Sequence, residues 1–315
     1  MMTRKFLVFA VCSPLWLSSA AVLAADSDNI FSWQEMQQAR AQGKSVWQLE
    51  IENDSLLLNR DDRYYTSGIH LQQTSYLRSD LEVSEYGWRF GQDLYTPTDI
   101  KLPPSQIPAI DHPYTGWLYA GMFHQKTAAT GRSWRVGLDL GCSGHCAGGE
   151  WTQNHLHWLI QQPLPQGWST QYRSEFGAIL SGEYSPGRLL PFSGTDLTPR
   201  IKARFGNVIT DAGAQLEFRA GQLNALPYQP ASYGFARIAA SVTGYNATIE
   251  GGYFNHEIPK VHAKHSGGEI EAGYLWQGDR YALSASIIRR ANEIKEVSNA
   301  VGAQNFVRLQ FSCMM

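Results

Sequence analysis

Apolar and polar residues take turns along most of this chain. Trp47, Leu49 and Ile51 alternate with Gln48, Glu50 and Glu52. Trp134, Val136, Leu138 and Leu140 alternate with Arg135, Gly137, Asp139 and Gly141. The same period runs through Leu216, Phe218 and Ala220, through Ile270, Ala272, Tyr274 and Trp276, and through Val307, Leu309 and Phe311. A period of two belongs to a β-strand, whose side chains point to opposite faces in turn. Breaks between the runs predict twelve strands, near 46–54, 64–76, 83–94, 114–126, 132–142, 169–181, 197–206, 212–222, 232–243, 262–276, 280–290 and 303–312.

The polar positions decide what kind of sheet this is. Many are carboxylates or arginines, set against large apolar residues on the other face. A soluble sandwich or lipocalin-like barrel would bury the apolar face and leave the charges to water. Charged partners on strand after strand predict the reverse, with apolar residues outside and charges paired across a filled lumen. Hydrocarbon offers no partner to a backbone N–H or C=O, so such a sheet must close. The fold class is therefore all-β, a transmembrane antiparallel up-and-down β-barrel, and an even strand number suits a bacterial one.

Composition agrees with the pattern. The 315 residues include 10 Trp, 15 Tyr, 13 Phe and 29 Gly. Only 17% are charged, where soluble domains carry about a quarter. Aromatic residues form the interfacial girdles of membrane barrels. A formal net charge of -2 gives no reason to invoke nucleic acid.

Residues 1–24 read as a secretory signal peptide. Arg4 and Lys5 precede an apolar run, and small residues follow at Ala24 and Ala25. Pro14 and the polar stretch Asp26 to Asn29 argue against a membrane anchor, and Cys12 would leave with the peptide. Residues 25–44 read as a short periplasmic segment with helical spacing at Trp33, Met36 and Ala39, and 45–315 as the barrel. Export implies an oxidising compartment. Cys142 and Cys146 are then expected to close a local disulfide rather than hold zinc, since no second pair exists. If the first strand runs outward, 54–63, 95–113 and 143–168 are extracellular. The last two are long, and long ordered loops usually carry function. The chain ends four residues after Phe311, whereas barrels commonly end on an aromatic residue. That departure bears on recognition by the barrel assembly machinery.

Candidate chemistry gathers at the outer ends of the early strands. Asn53 and Asp54 close the first. Asp61, Asp62 and Arg63 lead into Tyr65, Thr66, Ser67 and Gly68 on the second, and Gln153, His155 and His157 lie in the third outer loop. Asn53 has the parity of the lipid-facing Leu49 and Ile51. Thr66 has the other parity, with His70 and Gln72, so alternation alone does not unite them. Taken singly, Asn53 and Asp54 could cap a turn, and His157 could be an exposed loop residue.

Together these residues resemble a known family. Asn53-Asp54, Tyr65-Thr66-Ser67-Gly68, the run from Gln92 to Pro97 followed by Lys101, and Gln153 four residues before His157 look like the motifs of the lipid A 3′-O-deacylases of Gram-negative outer membranes. The resemblance implies about twelve strands, a short helix in an extracellular loop, and a site between that helix and the outer wall. It implies a calcium-dependent esterase, related in mechanism to secreted phospholipase A2. It would act on the 3′-acyl ester of lipid A in lipopolysaccharide, among outer-membrane lipids, as a monomer. Carried over by position, His157 would be the general base, since a neutral imidazole suits that role near neutral pH. Asn53, Asp54 and Thr66 would hold or surround Ca2+; Glu150, not itself a family position, is expected as a metal ligand that compensates for an acidic residue some members have after the histidine. Gln153 would share a helix face with His157. Lys101 would meet a phosphate or developing negative charge. The family often has an acidic residue six positions after the histidine; here Pro163 stands there.

Two other functions compete. A serine-type outer-membrane phospholipase would carry His-x-Ser, and none of the nine histidines has Ser two positions later. A non-enzymatic barrel, either a pore or an inactive scaffold, would use the charged lumen or nothing at all.

Overall fold

The computed structural model describes residues 32–42, 44–57, 64–190, 193–255 and 259–315. The expected signal peptide and the Asp61-Asp62-Arg63 cluster lie outside them.

Twelve antiparallel strands form a closed barrel. They are β1 (Ser45–Asn53), β2 (Tyr64–Arg78), β3 (Glu82–Thr96), β4 (Thr115–Ala128), β5 (Arg132–Ser143) and β6 (Glu175–Pro186). β7 (Thr195–Gly206), β8 (Ile209–Gln222), β9 (Ala231–Asn246), β10 (Ser266–Gln277), β11 (Tyr281–Arg290) and β12 (Gln304–Met314) complete the wall. Each strand pairs with its sequence neighbours, and β1 closes the ring on β12. Closure leaves no unpaired edge to face lipid.

Two boundaries differ from the sequence expectation. β6 begins at Glu175, not near 169, because Trp168–Thr170 form a 3-10 turn. Thr170 and Gln171 give their backbone N–H groups to Gly167 and Trp168, so those groups are not free for a ladder. β10 begins at Ser266, with 262–265 outside the strand. At the other end, Ser312 to Met314 stay in the sheet. Cys313 pairs with both Trp47 and Tyr281, so the residues after Phe311 extend the last strand.

The faces sort as the alternation requires. Leu49, Ile51, Phe90, Leu138, Ile238, Ile270 and Leu309 are exposed on the outside of the wall. The lumen is crossed by ion pairs. Arg89 grips Asp139 with two bonds of 2.6 Å. Glu271 accepts from Arg237 at 3.0 Å and from Arg308 at 3.0 Å, and Arg308 also holds Glu52. Arg290 bonds Glu269 at 2.9 Å. Charges taken from water survive only when paired this way.

The helical spacing before β1 becomes α1 (Trp33–Ala41), which buries Met36 and Ala39 against Tyr86. Tyr86 donates to Glu35 at 2.7 Å. Tyr86 has the parity of Trp88 and Phe90, so α1 lies on the outer surface of the wall, at the end where β1 begins. The helix described next lies at the other end.

Candidate active site on the outer wall

β1 ends in a tight turn. Asn53 Oδ1 accepts from the Ser55 N–H at 2.8 Å and from the Ser55 hydroxyl. Asn53 therefore shapes this turn whatever else it does. The next residue, Asp54, is buried, and its N–H meets the Thr66 carbonyl at 3.5 Å. Thr66 is where the parity problem is solved. β2 and β3 pair as Tyr65 with Tyr95 and then Ser67 with Leu94, so Thr66 is an extra residue in a bulge. A bulge re-aims side chains locally. Thr66 Oγ1 lies 2.6 Å from Thr96 Oγ1, and Thr96 has the outward parity of Phe90, Gln92 and Leu94. Asn53, Asp54 and Thr66 thus form one patch at the outer rim.

The loop after β5 lays a second helix, α2 (Gly149–Leu159), against the same side. Cys142 and Cys146 are joined, with Cα atoms 5.9 Å apart. The Gln92 side chain donates to the Ala147 carbonyl at 2.6 Å. Gly149 permits the closest approach. A Cβ there would lie 2.5 Å from the Trp168 ring and 3.0 Å from Leu94 Cδ2. Leu94 and Thr96 are two residues apart on one face of β3. That places the start of α2 and the Asn53–Asp54–Thr66 patch on adjacent outward positions of one strand, about 7 Å apart along it.

On α2, Gly149 and Gln153 are buried toward the wall, and His157 follows one turn later on that face. Trp151 and Trp158 are more than half exposed on the opposite face. His155 also points away, with Nδ1 on the Trp151 carbonyl at 2.7 Å and its ring against Trp151. After Leu159 the chain reverses. Gln161 takes a left-handed conformation, φ 56°. Gln162 N–H reaches back to the His157 carbonyl at 2.8 Å and Gln161 N–H to that of Trp158 at 3.3 Å. These are the two bonds of a Schellman cap, here without the usual glycine. The reversal brings the Pro163 carbonyl to 2.7 Å from His157 Nδ1. A carbonyl only accepts, so Nδ1 carries the hydrogen, and in the neutral ring the lone pair is then on Nε2.

Loop 97–113 zips onto the segment after α2, with Gln166 N–H on the Ile100 carbonyl at 2.8 Å. Lys101, next to Ile100, is exposed. Glu150 is exposed in the first turn of α2, and no hydrogen bond or ion pair among the described residues joins it to Asn53 or Asp54. In the same loop His112 is buried between the rings of Tyr95 and Tyr64, at centroid distances of 5.3 and 5.7 Å. Burial pushes its imidazole down to about 4, against an opposing hydrogen bond to the Pro113 carbonyl. The folded value lies below the ordinary 6.5, so between the two the unfolded loop binds more protons than the folded one. The loop keeps its full stability above about pH 6.5 and loses it as pH falls toward 4. Amide protection in 97–113, taken against the intrinsic exchange rate at each pH, is expected to fall over that window, and His112→Phe to flatten the change. A wild-type profile independent of pH would contradict the assignment.

Sequence reasoning missed Trp168, which packs with Leu94 and Tyr114 beneath α2. It also missed a lumenal trio, Glu50, Glu52 and His70, whose ligand-type atoms lie within 4.8 Å of one another. This trio is on the opposite face of the wall from the patch. His70 has Glu50 at 3.0 Å on one ring nitrogen and Asp93 at 2.8 Å on the other. Both ring nitrogens are thus occupied by carboxylates, and Glu52 is held by Tyr65 and Arg308. We read the trio as part of the packed lumen.

A closed barrel with an apolar outer wall, and a helix packed over polar residues on the outside of that wall, define an outer-membrane β-barrel protein. The family model described as outer membrane protein LpxR matches residues 8–315. The chain belongs to that family, the lipid A 3′-O-deacylase family its motifs resemble. Among solved structures, LpxR from Salmonella typhimurium aligns with a TM-score of 0.71 at 19% identity, covering 85% of this chain and 99% of that one. The β-domain of the Bordetella autotransporter BrkA aligns at a TM-score of 0.49 and 13% identity, covering 86% and 97%. Comparison with curated protein sequences returns no match.

Proposed function

We propose that this protein hydrolyses the 3′-acyl ester of lipid A from within the membrane plane, with His157 as general base. The observation that carries the reading is the contact of His157 Nδ1 with the Pro163 carbonyl at 2.7 Å. It supports a fixed tautomer whose Nε2 can accept a proton, on a helix that faces the outside of the wall. The acidic residue expected six positions on is replaced by the backbone carbonyl of Pro163, so the tautomer is set without a carboxylate.

In this reading His157 takes a proton from water as the water oxygen attacks the ester carbonyl carbon. The bond from that carbon to the sugar oxygen then breaks. The imidazolium returns its proton to the sugar oxygen, leaving a fatty acid and a free 3′-hydroxyl. Asn53, Asp54 and Thr66 offer oxygen donors only, which fits a hard cation such as calcium. Bound there, calcium would supply positive charge to the ester carbonyl oxygen. Asp54 contributes the charge of the set, Asn53 and Thr66 neutral oxygens. Glu150, expected as a ligand that compensates for the departure at Pro163, has no structural support beyond its place on α2. Lys101, exposed in loop 97–113, would attract a lipid A phosphate. Lipid would enter sideways past Trp151 and Trp158. The lumen, crossed by Arg89–Asp139 and the Arg237–Glu271–Arg308 network, counts against a pore.

The test is mass spectrometry of lipid A from cells expressing the inserted protein, with and without a calcium chelator. Loss of the 3′ acyl chains only where calcium is free is the expected result. An unchanged profile with the barrel correctly inserted would sink the proposal.

A further inference from the structure

We infer that Trp168 is a positioning residue for Gln153, and that the Gln153 amide donates an N–H to the oxygen that becomes negative as the ester is attacked. This inference rests on the esterase reading above and assigns a role inside it.

Gln153 is 3% exposed, on the wall-facing stripe of α2. Its Oε1 accepts from the Trp168 indole N–H at 2.8 Å. An indole N–H can only donate, so the atom facing it must be the amide oxygen. The orientation of this amide is therefore fixed by its partner rather than assigned by choice. The other end, Nε2, is buried with no hydrogen-bond partner. A buried donor left open is costly and calls for an explanation. A packing seam would have closed it, because an aliphatic side chain fits the same space without a polar cost.

The surroundings show that the amide is held, not merely trapped. Trp168 is 2% exposed and wedged against Leu94, Tyr114 and the bare Cα of Gly149. The indole cannot swing away without lifting α2 from the wall. Gln153 lies one turn before His157, about 6 Å along the same helix face. A carbonyl carbon within reach of a water on His157 Nε2 would hold its oxygen within reach of a donor placed there. A fixed, water-excluded donor aimed at a developing negative charge gives more in the transition state than in the ground state. Two other side-chain amides have an open buried atom among the described residues, Asn154 Oδ1 and Gln171 Oε1. Of these three amides, Gln153 is the one whose orientation is fixed by a partner that can only donate, so its open end is the N–H end.

The test uses full-length protein in detergent with lipopolysaccharide as substrate. Gln153→Glu keeps the acceptor for Trp168 but replaces the amide donor by a carboxyl group. Ionised, that group repels the oxyanion; protonated, it donates again. We expect kcat to fall about 10²-fold or more at pH 8 with little change in KM. The ratio of variant to wild-type activity should then rise as pH is lowered toward 5. Trp168→Phe keeps the ring but removes the N–H. It should lower kcat about 10-fold, again at nearly constant KM. A purely structural role would instead move KM or thermal stability and leave the activity ratio flat with pH. An active wild type with a pH-independent Gln153→Glu ratio overturns the donor role while leaving the esterase reading intact. Unchanged kcat in Trp168→Phe overturns the positioning role. A wild type that releases no acyl chain overturns both this inference and the reading beneath it.

Discussion

His157→Ala is expected to lower the rate of acyl release by between about 10² and 10⁴-fold. The reason is local. Nε2 is the proton acceptor in the proposed step, and the other histidine of α2 does not take its place. His155 is committed to the Trp151 carbonyl on the far face of the helix. His157→Gln should be nearly as inactive, because an amide nitrogen is not basic. The barrel itself should be untouched, since His157 lies on a helix outside the wall and contributes nothing to the ladder. Migration of unheated protein on a denaturing gel checks this. If either variant keeps wild-type deacylation, His157 is not the base.

Asp54→Asn should cost about 10² to 10³-fold at low calcium. The substitution preserves shape and removes the one formal charge of the Asn53–Asp54–Thr66 patch. If Asp54 holds the cation, raising calcium should restore part of the activity, and half-maximal activity should need more of it than in the wild type. If Asp54 merely supports the turn between β1 and β2, calcium will not rescue the variant. Chelation of the wild type should reproduce the loss. Equal activity with and without chelator would remove calcium from the reaction.

Much of the architecture was legible from the alternation, because in a barrel the period of side chains is itself the fold. Leu49 and Ile51 against Glu50 and Glu52 already state which face meets lipid. The error at β6 has a physical cause. Residues 169–174 follow Trp168 and include Tyr172, both types at home in strands, yet Thr170 and Gln171 bond into the 3-10 turn, Tyr172 N–H goes to the Tyr114 carbonyl, and the Trp168 ring packs beneath α2. Propensity could not distinguish an aromatic that packs under a helix from one that lines a wall. The site was legible only through the motif resemblance. Parity set Thr66 and Asn53 on opposite faces, and nothing in the local sequence announces the extra residue that reverses this.

The sequence by itself determined the strand number, the two faces of the wall and the types of residue able to do the chemistry. These follow from periodicity, composition and motif, which are local properties of the chain. Only the tertiary structure decided which of those residues come together. The bulge at Thr66 brings its hydroxyl to Thr96 on the outer face. The reversal at Gln161 carries the Pro163 carbonyl to His157. The bare backbone of Gly149 lets α2 close on Trp168, which turns the amide of Gln153. Each is a contact between segments whose spacing depends on how strands register and helices pack. No pattern of hydrophobic and polar residues encodes such a distance.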